Sequence, residues 1–537
     1  MSEHSFANVP SANIRRSSFR RNAGYKTAFD AGYLVPFFVD EVLPGDTFNL
    51  DLSMVARLAT PLVPVMDNIY LDTFFFFVPN RLVWDNFKKQ MGEQKNPGDS
   101  IDYLTPQVTP PASGFAVGST ADYMGLPVNV ANMPTVNALP FRAMNLIYNE
   151  WFRDENLCDS LPVPTGDGPD PWVDPTTQKE NYPLMRRGKR HDYFTSCLPW
   201  PQKGPGVELP LGGIAYVYGT GRPVALQTSA GTGFLQMDGT GENDVLFSGP
   251  FPSNLEMMSF LGKSAVAPPS LYADLSEASA PTINSLRQAF MLQQLMERDA
   301  RGGTRYTEIL RSHFATVCPD YRLQRPEYLG GSSGIINVHQ VAQTSATNET
   351  TPQGNLAAYG VYSDTHNGFV KSFTEHGFII GFVNVRADLT YQQGIERFWS
   401  RRTRYDYYWP ALAHLGEQTV LMKEIYARGT NEVNASGVQL NDEVFGYQER
   451  YAEYRYKSSL VTGKLRSGTD NGLDAWHLAQ YFENAPTLSA DFIQDNPPID
   501  RVVAVPSEPQ FIFDCWFSLN TVRPMPVHGI PGFQTHF

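Results

Sequence analysis

A strong 3.6-residue apolar period occurs in one stretch of this 537-residue chain, Thr282 to Gly331, and that confines what the rest can be. Thr282 follows Pro281 and can cap a helix start through its hydroxyl. Ile283, Leu286, Ala289, Phe290 and Met296 then share one face, interrupted only by Gln293. Met291, Leu292 and Leu295 cover much of the other side, which predicts a helix contacted on both faces. Arg298 and Arg301 suit the negative helix end, and Gly302-Gly303 permit a left-handed exit. Thr304 can cap a second helix carrying Tyr306, Ile309 and Leu310. Helices are therefore expected at 282–314, with strands and long loops almost everywhere else.

The strand signals agree. Phe48, Leu50, Leu52 and Met54 alternate with Asn49, Asp51 and Ser53, and Phe511, Phe513, Cys515 and Phe517 alternate with Asp514 and Ser518, which marks strands. IYLDTFFFFV (69–78) and GFIIGFVNV (377–385) are apolar throughout and predict strands buried on both faces. Ile336, Val338 and Val341 mark another strand; short helices are expected after Asn80 and over 145–156. With 43 Gly and 41 Pro there are turns enough for many strands and long loops. Between Gly204 and Ser270 lie Gly- and Thr-rich turns (YGTGRP, SAGTGF, DGTGEN) that read as a surface excursion. No fixed repeat is visible. Strands at both ends around a central excursion predict one discontinuous antiparallel β domain.

Net charge is −13 and unevenly spread. Arg15, Arg16, Arg20, Arg21 and Lys26 face only Glu3 within residues 1–26, so a basic, extended N-terminal arm is expected on an acidic body. Arg186, Arg187, Lys189 and Arg190 form a basic knot followed by His191, Tyr193 and Phe194. Arg401, Arg402 and Arg404 are interleaved with aromatics in FWSRRTRYDYYW (398–409). Arg with aromatics suits single-stranded nucleic acid and also subunit interfaces. These twelve residues are the candidate contacts to nucleic acid or a neighbouring subunit; an ordinary ion-paired surface is the plainer reading of each cluster.

Catalytic motifs fail on context. Gly262-Lys263-Ser264 lacks the leading glycine of a phosphate loop, because position 257 is Met. Gly330-Gly331-Ser332-Ser333-Gly334 matches G-x-S-x-G literally, but Ile335-Ile336-Asn337-Val338 reads as a strand where a nucleophile elbow needs a helix, so a Gly-Ser turn is expected. No histidine pair has metal-ligand spacing, and Cys158, Cys197, Cys318 and Cys515 are scattered without a C-x-x-C pair. No cofactor is expected. The N-terminus lacks a signal-peptide core and no apolar run approaches membrane-spanning length, so no membrane insertion is expected.

LRQAFMLQQLMERDARGGTRYTEILRSHF with LQRPEYLGGSS resembles a hallmark of the major capsid proteins of the Microviridae, small icosahedral phages with single-stranded DNA. LVPFFVDEVLPGDTF (34–48), FFVPNRLVWDNF (76–87), RRGKRHDYFTSCLPWPQKG (186–204) and FGYQERYAEYRYK (445–457) extend the resemblance over most of the chain, and the Gly-rich excursion is similar to the insertion of the gokushovirus branch. The resemblance implies a mainly β viral jelly roll, an antiparallel β-sandwich with long loops, a few helices and a large surface insertion. It implies a basic arm (1–40), a first jelly-roll part (41–205), an inserted protrusion (206–275) and a second part (276–537). It implies self-assembly into a T=1 icosahedral shell around circular single-stranded DNA, with the insertions meeting as threefold protrusions used in host attachment. Implied partners are further copies of the chain, the genome, minor capsid or pilot, scaffolding and small basic DNA-packaging proteins, and a host surface receptor. The implied location is the virion, assembled in the host bacterial cytoplasm.

A β-sandwich glycan-active enzyme is the rival; it requires two carboxylates facing each other across a cleft. A monomeric nucleic-acid-binding module fits poorly with the net acidity.

Overall fold

The computed structural model describes residues 14–207, 283–345, 347, 352–434, 437–470 and 472–529, with the backbone of six short strands between 216 and 274. Thr282, the 262–264 segment and residues 1–13 of the expected arm lie outside the described residues.

Nine strands build the principal sheet system: β1 (Ser17–Arg20), β2 (Ala23–Phe29), β3 (Val35–Val42), β4 (Thr47–Leu58), β5 (Ile69–Pro79), β6 (Glu327–Ala342), β7 (Leu356–Ser372), β8 (Gly377–Ala387) and β9 (Phe511–Arg523). β1 and β2 both pair with β9, and the order continues β9-β4-β7-β6-β5-β8-β3. Every pairing among these strands is antiparallel. β6 joins the two halves: residues 327–336 pair with β5, and 337–342 pair with β7. The halves curl face to face. Phe37 of β3 sits 5.7 Å from Phe513 and 5.6 Å from Phe517 of β9, although these strands lie far apart in the hydrogen-bonded order. The result is the expected mainly β, jelly-roll type of antiparallel sandwich.

The sequence pattern explains each strand's place. β9 alternates without a break, turning Phe511, Phe513, Cys515, Phe517 and Leu519 inward and Ile512, Asp514 and Trp516 outward. β4 does the same with Phe48, Leu50, Leu52 and Met54. Each inward Phe or Leu contributes about 1.5–3 kcal/mol of transfer free energy. β5 and β8 are buried on both sides, as their continuous apolar runs require. Their second face carries Phe76, Val78, Ile380 and Phe382, which pack on Trp84 and on Leu139, Met144 and Ile147 of helix α1 (Leu139–Ile147). α1 begins before the expected 145–156 helix, and residues 148–152 widen into a π turn.

Helices α2 (Ile283–Gly302) and α3 (Tyr306–Phe314) occupy the expected interval. Arg305, not Thr304, caps α3: the Glu308 carboxylate reaches back to the Arg305 backbone N–H at 3.2 Å. Only Ala300 of α2 is buried, so the expected cover on both faces is not found among the described residues. The Gly-Ser segment is not a turn. It runs inside β6, where Ser332 Oγ accepts from Asn367 Nδ2 at 2.6 Å and Gly331 lies too close to the Thr73 carbonyl for a Cβ. The small residues let β6 lie tightly on β5.

Residues 1–201 with 298–537 form one compact unit and 202–297 another. In the second, Leu246–Ser248, Gly231–Gln236, Val224–Thr228 and Ser259–Phe260 form a four-stranded sheet, and Tyr216–Gly219 pairs with Leu271–Asp274.

Candidate inter-subunit and nucleic-acid surfaces

The N-terminal cations lie on or beside edge strands. β1 and β2 are hydrogen-bonded to β9, so residues 17–29 are part of the sheet system. Arg21 pairs with Asp40 at 2.7 Å, Lys26 with Asp514 at 2.7 Å, and Arg16 donates to Thr47 Oγ1 at 2.9 Å. Arg15 and Arg20 are exposed and have no side-chain partner among the described residues.

The 186–190 knot is anchored in the fold. Its backbone is stitched to residues 493–495: Lys189 N–H donates to Ile493 O at 2.7 Å and Asp495 N–H to Arg187 O at 2.8 Å. The Arg186 guanidinium lies 4.1 Å over the Tyr33 ring and donates to Ala31 O, Asp495 O and Asn496 Oδ1. That approach requires Gly32, which has φ +83° and no room for a Cβ beside Asp495 O. Arg187 shares Asp72 with Arg386. Burial opposes ionisation of Asp72, but hydrogen bonding from Ser333 and the two guanidiniums outweigh it and hold its carboxyl below the usual range. Arg190 lies 3.9 Å over Tyr70 and 3.1 Å from Asp388. Lys189 is buried, 4.5 Å over the Phe492 ring, and burial lowers its pKa to about 8.

Arg187, Lys189 and Arg190 line a cavity of about 1100 Å³, together with Arg153, Arg301, Arg305, Arg311 and Arg386. The last five were not among the sequence candidates. Three of them lie in the helical stretch, where apolar spacing dominates the pattern. Carboxylates already neutralise much of this charge: Arg301 pairs with Glu417, and Arg305 with Glu155 and Glu308. Arg311 is exposed and has no partner among the described residues. Trp151, Phe152, Phe74 and Phe76 supply apolar walls. Such a cavity can hold an anionic group against aromatic faces.

The third cluster is the most exposed. Arg401 stacks 4.4 Å over Tyr454 and pairs with Glu453 at 3.3 Å, Arg404 lies over Tyr405 and Trp409, and Arg402 has no side-chain partner among the described residues. Glu424 and Glu453 line an adjacent cavity of about 250 Å³. Burial pushes the Glu424 carboxyl up, but Arg397 binds it at 2.9 Å and the Tyr193 hydroxyl donates to it at 2.8 Å. Both carboxylates are thus held by guanidiniums, which does not resemble a free acid and base across a glycan cleft. Among the described residues, no group of three His, Cys, Asp or Glu could hold a metal ion, and no helix is long and apolar enough to cross a membrane.

A family model described as "Capsid protein (F protein)" matches residues 7–533. The chain is 49% identical over 582 residues to capsid protein VP1 of Chlamydia phage 1, covering 98% of this chain and 97% of that protein. It is 48% identical over 543 residues to capsid protein VP1 of Bdellovibrio phage phiMH2K, covering 99% and 98%. Against capsid protein VP1 of Spiroplasma virus 4 the identity is 36% over 550 residues, again covering 99% and 98%.

Proposed function

We propose, from the premise that this chain belongs to the phage capsid protein (F protein) family, that it is the major capsid protein of a gokushovirus-like phage and self-assembles into a T=1 icosahedral shell around circular single-stranded DNA. The observation that carries this reading is the match through strands and loops alike, over nearly the whole chain. A sandwich whose loops carry rigid Arg–aromatic surfaces is suited to the large complementary contacts that closed symmetric shells need. Capsid membership also makes this a structural protein and sets aside the glycan-enzyme reading.

The insertion at 206–275 would form the threefold protrusions used in host attachment. Residues 17–29 and 35–40 belong to the sheet system rather than to a free arm, so the contact to the genome or a neighbouring copy is proposed for the exposed Arg15 and Arg20. Pilot, scaffolding and small basic DNA-packaging proteins, with a host surface receptor, complete the proposed partners, and the host bacterial cytoplasm is the proposed place of assembly. Electron microscopy of the purified full chain tests the central claim: isometric particles protecting circular single-stranded DNA from nuclease are expected. Monomers under every assembly condition, including co-expression with the other phage proteins, would overturn it. Deleting 206–275 is expected to leave particles without protrusions that fail to adsorb; normal adsorption would remove the attachment role.

A further inference from the structure

Six aromatic side chains stand exposed within twelve residues: Phe398, Trp399, Tyr405, Tyr407, Tyr408 and Trp409, at 42–74% of their full accessibility. They ride on two short 3₁₀ turns, Arg397–Ser400 and Arg404–Asp406, and the segment leading to a third, Pro410–Leu412. Several are locked in place. The Trp409 indole N–H donates to Arg404 O at 2.8 Å. Tyr408 meets Tyr451 at 5.1 Å and Tyr454 at 6.1 Å, and its backbone N–H donates to the Tyr454 hydroxyl. The Asp406 carboxylate accepts the Arg402 and Thr403 N–H groups and fixes the loop between them. Large rings already held still lose little entropy on docking.

We infer that this aromatic platform is a contact surface for a second copy of the chain, with the neighbouring cavity of about 250 Å³ receiving one apolar side chain of that copy. The area fits. Taking 150–250 Å² per ring, the six rings alone expose roughly 650 Å², close to the roughly 800 Å² that each partner buries in a standard interface. The charge balance favours protein over nucleic acid. Arg397 is neutralised by Glu424, Arg401 by Glu453 and Lys457 by Glu396, which leaves Arg402 and Arg404 without ion-pair partners among the described residues. A phosphate groove needs an uncompensated cationic track. Aromatics and Arg over paired charges are instead the composition of an interface centre. On the capsid reading, identical copies must pack against one another over large surfaces, and a second copy is the occupant that this area and charge balance fit.

This inference rests on the capsid reading, and the test separates the two. Hydroxyl-radical footprinting of intact particles against dissociated subunits is expected to show Trp399, Tyr405 and Tyr407 protected in the particle, and still protected after the nucleic acid has been removed from intact shells. Trp399→Ala and Tyr407→Ala are expected to cut particle yield roughly tenfold or more, with circular dichroism unchanged. Val117→Ala, an exposed apolar residue elsewhere, should assemble normally. Rings oxidised equally in particle and subunit would overturn the inference while leaving the capsid reading intact. Protection that vanishes on emptying the shell would overturn it in favour of single-stranded DNA. Failure of the wild type to form any particle would overturn the capsid reading, and this inference with it.

Discussion

Arg142 and Asp170 meet through two parallel hydrogen bonds out of reach of solvent, Nε to Oδ2 at 2.7 Å and Nη2 to Oδ1 at 2.8 Å. Arg142 is fully buried on α1; its Nη1 donates to Val83 O and Gly166 O, while the Tyr182 hydroxyl donates to Asp170 Oδ2 at 2.6 Å. One guanidinium thus ties the helix behind β5 and β8 to the loops on either side. Asp170→Asn strands a buried charge and is expected to cost about 3–5 kcal/mol, whereas Arg142→Met with Asp170→Leu should cost much less. Denaturant unfolding read by tryptophan fluorescence measures both. Trp172 lies 6.1 Å from Tyr182 and reports on the site. Equal losses in the single and double variants would refute this account.

Asp72 presents the same physics at the basic knot. With Arg187 and Arg386 converging on one carboxylate, Asp72→Asn is expected to destabilise by about 3–5 kcal/mol. The folded carboxyl titrates below its ordinary value, so its stabilisation is complete above the unfolded pKa of about 4 and is lost as pH falls further. The wild type should therefore lose stability relative to the Asn variant below about pH 4. Parallel stability curves for the two proteins across that range would contradict the assignment.

Asp495 has the opposite sign. Burial raises its pKa to about 6, against the favourable pull of Lys189, Arg386, Arg187 and Arg186. A carboxyl raised in the folded state stabilises fully below its unfolded pKa, and that contribution is lost as pH rises through the folded value. From about pH 4 to above pH 6 the wild type should lose roughly 3 kcal/mol relative to Asp495→Asn. Because Asp495 N–H and Arg187 O bond the two segments, proteolytic cleavage near 186–190 should also increase over that window. A flat difference between wild type and variant across pH 4–7 would sink the claim.

How much of this could be read from the residues depends on how local the cause is. The continuous apolar runs of β5 and β8 revealed two buried faces, and the alternation in β4 and β9 revealed one, because side-chain period is a property of the strand itself. β1 and β2 were illegible as strands: they are short and mix polar with small residues, only Phe29 among them is fully buried, and their partner β9 lies near the other end of the chain. The basic knot was visible but its role was not. Its anionic partners are remote, with Asp72 115 residues from Arg187 and Asp388 198 residues from Arg190. Sequence proximity grouped the cations; only folding showed that they are largely compensated.

The four cysteines, scattered in sequence, divide by environment. Cys197 and Cys515 are buried, and Cys158 and Cys318 are partly exposed. Burial pushes the Cys515 thiol up to about 12 and Cys197 up as well, so neither presents a thiolate at neutral pH. Cys515 faces the sandwich interior among the β9 phenylalanines, and its Sγ is reached only by opening the core. Ellman's reagent on the native full chain is expected to modify no more than two thiols, Cys318 and the slower Cys158, whose thiol burial also raises. All four should react in denaturant. Rapid native labelling of Cys515, located by peptide mapping, would mean that β9 does not seal the sandwich as its pairing with β4 and β2 requires.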